Sequence, residues 1–286
     1  MKLTICLGTR GRPALLVPTL EKTVAMLAQP DTAFVVAIDH DDQETIAAIP
    51  SFPKDARIIP HVAEREDNFG SKWNRALRFP ADVYFCMVDY RFMVTPAFDK
   101  IILDAAARFP DNIGVIGTFM ANASFPEHQA VTHGLAKKLG FVYPPYFPYW
   151  FVDHWIDDIA RMIDRYSFAA IRSDGNARPG TQNMRELTYW ADYFERMLLL
   201  RRRSAEGIIR SEDFLETPWR KEMLLAGFHM TEFRSLWANS LLRGPDYEAY
   251  AKDRDAGPPD ERYTRLKQRA EKISEHILQD FQRRTK

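Results

Sequence analysis

Cysteine is scarce in this 286-residue chain, which has two, Cys6 and Cys86. Two cysteines cannot build the disulfide framework of a small secreted scaffold. Both lie in apolar runs that read as strands, so buried thiols in a reducing compartment are expected. No apolar stretch approaches the roughly 20 residues that a membrane-spanning helix needs. Met1 to Leu7 is too short, and too soon followed by Arg10 and Arg12, for a secretory leader. A net charge of either sign is also missing, because Lys+Arg and Asp+Glu both number 39. That excludes a whole-molecule electrostatic grip on nucleic acid or an anionic membrane, while leaving room for a local basic face. There is no internal repeat and no low-complexity tract. What remains is a globular composition, 46% hydrophobic and 27% charged, without the signature of disorder. The expectation is a soluble cytoplasmic protein with a full core.

Short apolar runs alternate with helical patterns through the first half. Leu3–Leu7, Ala33–Ile38, Arg57–His61, Val83–Val88 and Ile113–Phe119 read as strands. Leu15–Leu27, Phe69–Leu77 and Pro96–Phe109 carry helical spacing. This alternation predicts an α/β domain with a mostly parallel sheet, whose ligands bind beyond the carboxyl ends of the strands. Residues 121–155 are loop-rich, with a loop from Glu127-His128 to Leu139-Gly140 and an aromatic run from Tyr143 to Phe151. From Trp155 helix dominates. Met184–Arg203 reads as one amphipathic helix ending in Arg201-Arg202-Arg203, a solvated terminus where cations suit the dipole. Gly257-Pro258-Pro259 reads as a linker. Leu266, Ile273, Ile277 and Phe281 fall on one face of a final helix with a basic excess.

Four polar clusters sit at or near predicted strand ends. Thr9-Arg10-Gly11-Arg12-Pro13 joins the first strand to a helix. Its backbone N–H groups and two guanidinium groups suit an anion, although a tight turn with solvated arginines reads equally well. Asp39-His40-Asp41-Asp42 offers Asp39 to a nucleobase, a ribose or a hard cation, and Asp42 as a helix cap. In Asn68 to Asn74, Lys72 would reach a phosphate and Asn74 a base or backbone; a solvent-exposed helix start is the alternative. Asp89 follows the most apolar strand, where a carboxylate is costly unless used or paired, and Arg91 stands two residues on.

The order of these parts resembles the GT-A class of nucleotide-sugar glycosyltransferases, in particular the family 2-like branch of bacteria and their phages. The resemblance rests on Thr9 to Pro13, Asp39 with Asp41 and Asp42, Lys72 and Asn74, and Asp89 followed by Thr95-Pro96. It covers residues 1–165. It implies a Rossmann-like GT-A domain over 1–165, with a mostly parallel sheet flanked by helices. A helical C-terminal region over 166–286 would end in an amphipathic helix. It implies transfer of a sugar from a nucleoside diphosphate, expected to be uridine-based, to an acceptor hydroxyl; inversion is expected because one candidate base is visible and no second nucleophile is. Asp39 would meet the base, and Thr9, Arg10, Arg12, Lys72 and Asn74 the rest of the nucleotide.

In that family an Asp-x-Asp motif holds a divalent metal, Mn2+ or Mg2+, against the diphosphate. Here the motif reads Asp89-Tyr90-Arg91, so Arg91 stands where a ligating carboxylate is expected. Either Arg91 neutralises the diphosphate itself, or the motif has decayed and the protein binds a nucleotide sugar without transferring it. Asp89 and His154 are the candidate metal ligands. Asp153, in a segment resembling the one that carries the family's catalytic base, is the candidate base, with Asp157 and Asp158 as fallbacks. His128, Trp150 and Trp155 are candidates for the acceptor site, and a packed domain seam is the competing reading of the aromatics. A nucleotidyltransferase is the second enzymatic reading, weakened by a loop whose glycines are Gly8 and Gly11 alone.

Overall fold

The computed structural model describes residues 1–118, 128–175, 186–227 and 259–284. Phe119, Glu127, the helix start at Met184, the linker residues Gly257-Pro258 and the side chain of Phe281 lie outside the described residues. The chain divides into two units. The first comprises 1–66, 71–142 and 165–179, and the second 67–70, 143–164 and 180–286. The sequence-based boundary at 165 falls where the chain passes from the second unit back to the first.

The first unit is built on a sheet of strands β1 (Leu3–Gly8), β2 (Ala33–Asp39), β3 (Ile58–Ala63), β4 (Val83–Val88), β6 (Val115–Thr118), β7 (Gln129–Thr132) and β8 (Tyr166–Ala169). Their order is β3-β2-β1-β4-β7-β6-β8. β1 to β4 are mutually parallel, β7 runs antiparallel to both its neighbours, and β6 and β8 pair in parallel. Every residue of β1, β2 and β4 is buried. Strands covered on both faces have no polar face to alternate, which is why they stand out as continuous apolar runs. β3, at the edge, alternates partly buried with exposed residues and tolerates Pro60 there. In register, Cys6 of β1 lies beside Cys86 of β4, and both thiols are free and buried.

Helix α1 (Pro13–Val24) begins on a proline, whose fixed φ and missing N–H suit a first turn. The short α2 (Gln43–Ala47) follows β2, and α3 (Phe69–Trp73) runs into a 3-10 turn at Asn74–Arg78. α4 (Phe98–Ala106) and α5 (His133–Leu139) complete the helices of this half. Leu16 and Leu20 of α1, with Phe98 and Ile102 of α4, bury their faces on Leu3, Ile5, Leu7, Phe34, Val36, Phe85 and Met87. A two-stranded ribbon joins β5 (Arg91–Met93) to β9 (Ser173–Gly175). The sequence pattern shows no strand at 129–132 or 166–175. These strands are three or four residues long and carry several polar residues, too little for a period of two to register.

The second unit contains α6 (Val152–Met162), α7 (Leu187–Arg196), α8 (Leu198–Ile209), α9 (Pro218–Ala226) and α10 (Glu261–Arg284). The expected single helix through Arg203 is two helices broken at Met197, a residue with no turn signal of its own. Phe147 of the aromatic run is fully buried among the rings of Phe151, Trp155, Trp190, Tyr193 and Phe194. Arg201 is buried in α8, contrary to the solvated terminus expected. Because the helix restarts at Leu198, Arg201 lies in its first turns and faces inward, with Nε 3.0 Å from Asp158 of α6. Leu266, Ala270 and Ile277 of α10 are buried, and Tyr263 accepts the indole N–H of Trp190 at 3.0 Å. Among the described residues no helix is long and apolar enough to cross a membrane.

Candidate functional site

The carboxyl ends of β1, β2 and β4 bring together most of the polar residues singled out in the first unit. After β1 the chain turns through Gly11, whose φ of +60° is a region that side chains disfavour. The Gly11 N–H donates to Asp42 at 2.9 Å, and Asp42 also accepts the Thr45 N–H at 3.2 Å, capping α2 as expected.

Asp39, at the end of β2, answers three cations. Lys72 lies 2.6 Å and Arg10 3.2 Å from Oδ2, while Arg75 lies 2.9 Å from Oδ1. Lys72 also donates to the Thr9 carbonyl at 2.8 Å. Burial lowers the Lys72 pKa, and Asp39 pulls against that shift. Arg10 forks onto Asp41 at 2.6 and 3.0 Å. That hydrogen bond raises Arg10 and is the main reason Asp41 is lowered to about 2. Arg75 and Glu66 belong to the same network and escape sequence reasoning. Arg75 donates to both carboxylate oxygens of Glu66 and to the Ile38 and Glu64 carbonyls. The available signal is spacing: Arg75 stands three residues after Lys72, on the same face of a helical run.

Asp89, at the end of β4, is fully buried. Its Oδ2 accepts the Thr9 hydroxyl at 2.8 Å and lies 3.0 Å from Arg12 Nε. Burial raises the Asp89 pKa, and Arg12 and Thr9 offset part of that. Oδ1 of Asp89 has no hydrogen-bond partner among the described residues. Arg12 is one-quarter exposed, and beyond its Nε contact neither Nη group has a partner among the described residues. Arg91 opens β5 opposite Gly175 of β9. A Cβ on Gly175 would meet the Tyr90 carbonyl at 2.2 Å and Arg91 Cδ at 2.8 Å, so glycine is required for this approach.

The remaining candidates lie elsewhere. Asn74 uses Oδ1 to accept the Val142 N–H at 2.8 Å, which holds a loop. His128 is buried with its ring centroid 5.8 Å from that of Phe85. In the second unit, Asp153 stands in the first turn of α6, one-third exposed, with Oδ1 2.9 Å from the Nδ1 of His154. Burial pushes its carboxyl up, but His154 outweighs this and the net shift is downward. Asp157 pairs with Arg161 at 2.9 Å and Asp158 with Arg201. Trp155 is buried against Tyr146, Phe147 and Arg201, and Trp150 packs edge-on to Tyr149.

The implied divalent metal does not fit this donor set. Such an ion takes several oxygen ligands, carboxylates foremost. Asp89 commits one oxygen to Thr9 and Arg12, residue 91 is an arginine, and Asp39, Asp41 and Asp42 are each engaged by Arg10, Lys72, Arg75 or backbone N–H groups. Among the described residues no three His, Cys, Asp or Glu side chains gather as a metal site.

No protein-family model matches the sequence, and no curated protein matches it. Solved structures do resemble it. Staphylococcus aureus TarS 1–349 in complex with UDP-GlcNAc superposes with a TM-score of 0.56 at 15% identity, over 82% of this chain and 73% of that one. The mannosyltransferase PcManGT from Pyrobaculum calidifontis, in complex with GDP-Man and Mn2+, gives 0.51 at 14% identity, over 87% and 83%. With its mostly parallel seven-stranded sheet flanked by helices, the chain has the GT-A fold of these nucleotide-sugar glycosyltransferases.

Proposed function

We propose that the protein is a glycosyltransferase that takes a sugar from a nucleoside diphosphate donor, uridine-based, to an acceptor hydroxyl. The observation that carries this reading is the cluster of Thr9, Arg10, Arg12, Asp39, Lys72 and Asp89 beyond the carboxyl ends of three parallel strands, where α/β sheets bind their ligands. Asp39 orders Lys72 and Arg10, which shape the nucleotide pocket with Thr9, and Arg12 and Arg91 serve the diphosphate. In the transfer, the acceptor oxygen bonds to the anomeric carbon as the bond to the diphosphate oxygen breaks, and the electron pair leaves with the diphosphate. The acceptor proton passes to a carboxylate. Asp153 is assigned that role from the resemblance of its segment, and the His154 contact that lowers its pKa keeps it ionised at neutral pH.

A panel of UDP-, GDP- and dTDP-sugars, followed by nucleoside diphosphate release with and without Mn2+, tests this. Turnover of one donor is expected. If none is bound or turned over, the reading fails. Asp153→Asn is expected to lose transfer and keep donor binding; loss of binding would remove Asp153 from the base role. Arg91 in place of a carboxylate favours a second reading, a nucleotide-sugar-binding protein without transferase activity, whose mark is tight binding without turnover.

A further inference from the structure

Each cation of the cluster has its own commitments. Arg10 spends both terminal nitrogens on Asp41 and Asp39. Lys72 is buried between Asp39 and the Thr9 carbonyl, and Arg75 is buried among Asp39, Glu66 and two carbonyls. Arg12 is held differently. Its Nε lies 3.0 Å from a fully buried carboxylate, an ion pair that holds the guanidinium beside Asp89. Both Nη groups lack partners among the described residues, and the side chain reaches solvent. An anchored guanidinium with two parallel N–H donors matches adjacent phosphate oxygens in a bidentate fork. Arg12 also stands at the N-cap of α1, where the positive end of the helix dipole adds to its charge.

The same contact sets Asp89 against a metal. A divalent cation on Asp89 would have to displace the guanidinium or sit beside it in a buried place, where like charges repel strongly. Arg91 adds a further positive charge where a second carboxylate would be needed. Resting on the donor reading above, the geometry points to Arg12, braced by Asp89, as the resident cation for the donor diphosphate, so that this chain binds nucleoside diphosphates without a divalent metal. Asp89 is then a positioning residue acting through Arg12.

Calorimetric titration of the full chain with UDP, GDP and dTDP, each in EDTA and in Mn2+, tests this. Uridine, guanosine and thymidine serve as controls. The diphosphate that binds is expected to do so with Kd values within about threefold of each other in the two buffers. Arg12→Ala is expected to weaken that diphosphate about 10- to 100-fold in both buffers, as loss of a charge-assisted hydrogen-bonding pair does, and to leave the matching nucleoside unchanged. Asp89→Asn should weaken the diphosphate in the same sense without creating a metal requirement. A diphosphate bound in Mn2+ but not in EDTA would overturn the inference and leave the donor reading standing. Equal loss of nucleoside and diphosphate in Arg12→Ala would also overturn it, by assigning Arg12 to the shape of the loop. Failure of all three diphosphates in both buffers refutes the donor reading, and this inference with it.

Discussion

Arg75 carries a full charge in the interior because each of its three nitrogens has an oxygen to bond. Replacing it with methionine keeps the volume and leaves Asp39 with two of its three cations and Glu66 with none from this side chain. Breaking a buried ion pair from one side costs several kcal/mol. Arg75→Met is therefore expected to lower unfolding stability by about 3 kcal/mol, read as a fall in the urea midpoint. That Thr9, Arg10, Arg12, Asp39 and Asp89 cluster was legible in the sequence because they follow apolar strands, and Lys72 was read from a polar segment at a helix start. Arg75 was passed over because it lies further along the same helical run as Lys72, past the polar helix start on which that reading rested. Which cation answers which carboxylate was not legible either. Thr9 and Asp89 are 80 residues apart and meet only because β1 and β4 are neighbours in the sheet.

The strands fully covered on both faces announced themselves, and the short β7, β8 and β9 did not, because a period needs more residues than they have. Helix faces showed a comparable limit. The apolar stripe from Leu187 to Leu198 is real, but it runs unmarked across the break at Met197, so the inward turn of Arg201 was hidden. The α6–α8 contact includes the Arg201–Asp158 ion pair in an aromatic setting, with Arg201 3.7 Å from the Phe194 ring centroid. Burial raises Asp158 to about 6 despite Arg201. A folded carboxyl that holds its proton more tightly than the unfolded one adds stability at low pH and loses it as pH rises from the ordinary carboxylate value through about 6. Arg201→Met removes the opposing charge and pushes Asp158 higher. The variant is expected to lose about 3–5 kcal/mol at pH 8 and less at pH 5, measured by urea unfolding at the two pH values. Asp158→Asn in that background should recover part of the loss.

The chain crosses between its two units repeatedly, with 67–70 and 143–164 in one and 71–142 and 165–179 in the other. Periodicity reports which residues are buried and is silent on which core they join, so no reading along the chain could show this interleaving. The balanced charge was legible, but its placement in paired networks was not. Cys6 and Cys86 bear on the molecule as a whole. They sit side by side on the two central strands, and burial pushes Cys6 up to about 12 and Cys86 well above its ordinary value. Neither thiolate forms in the native state, so neither should react with a disulfide reagent until β1 and β4 part. Thiol labelling is then a clock for global opening. Both cysteines are expected to be modified together, at a rate that stops rising with reagent concentration and equals the unfolding rate. Modification of one ahead of the other would mean that the two strands separate in steps.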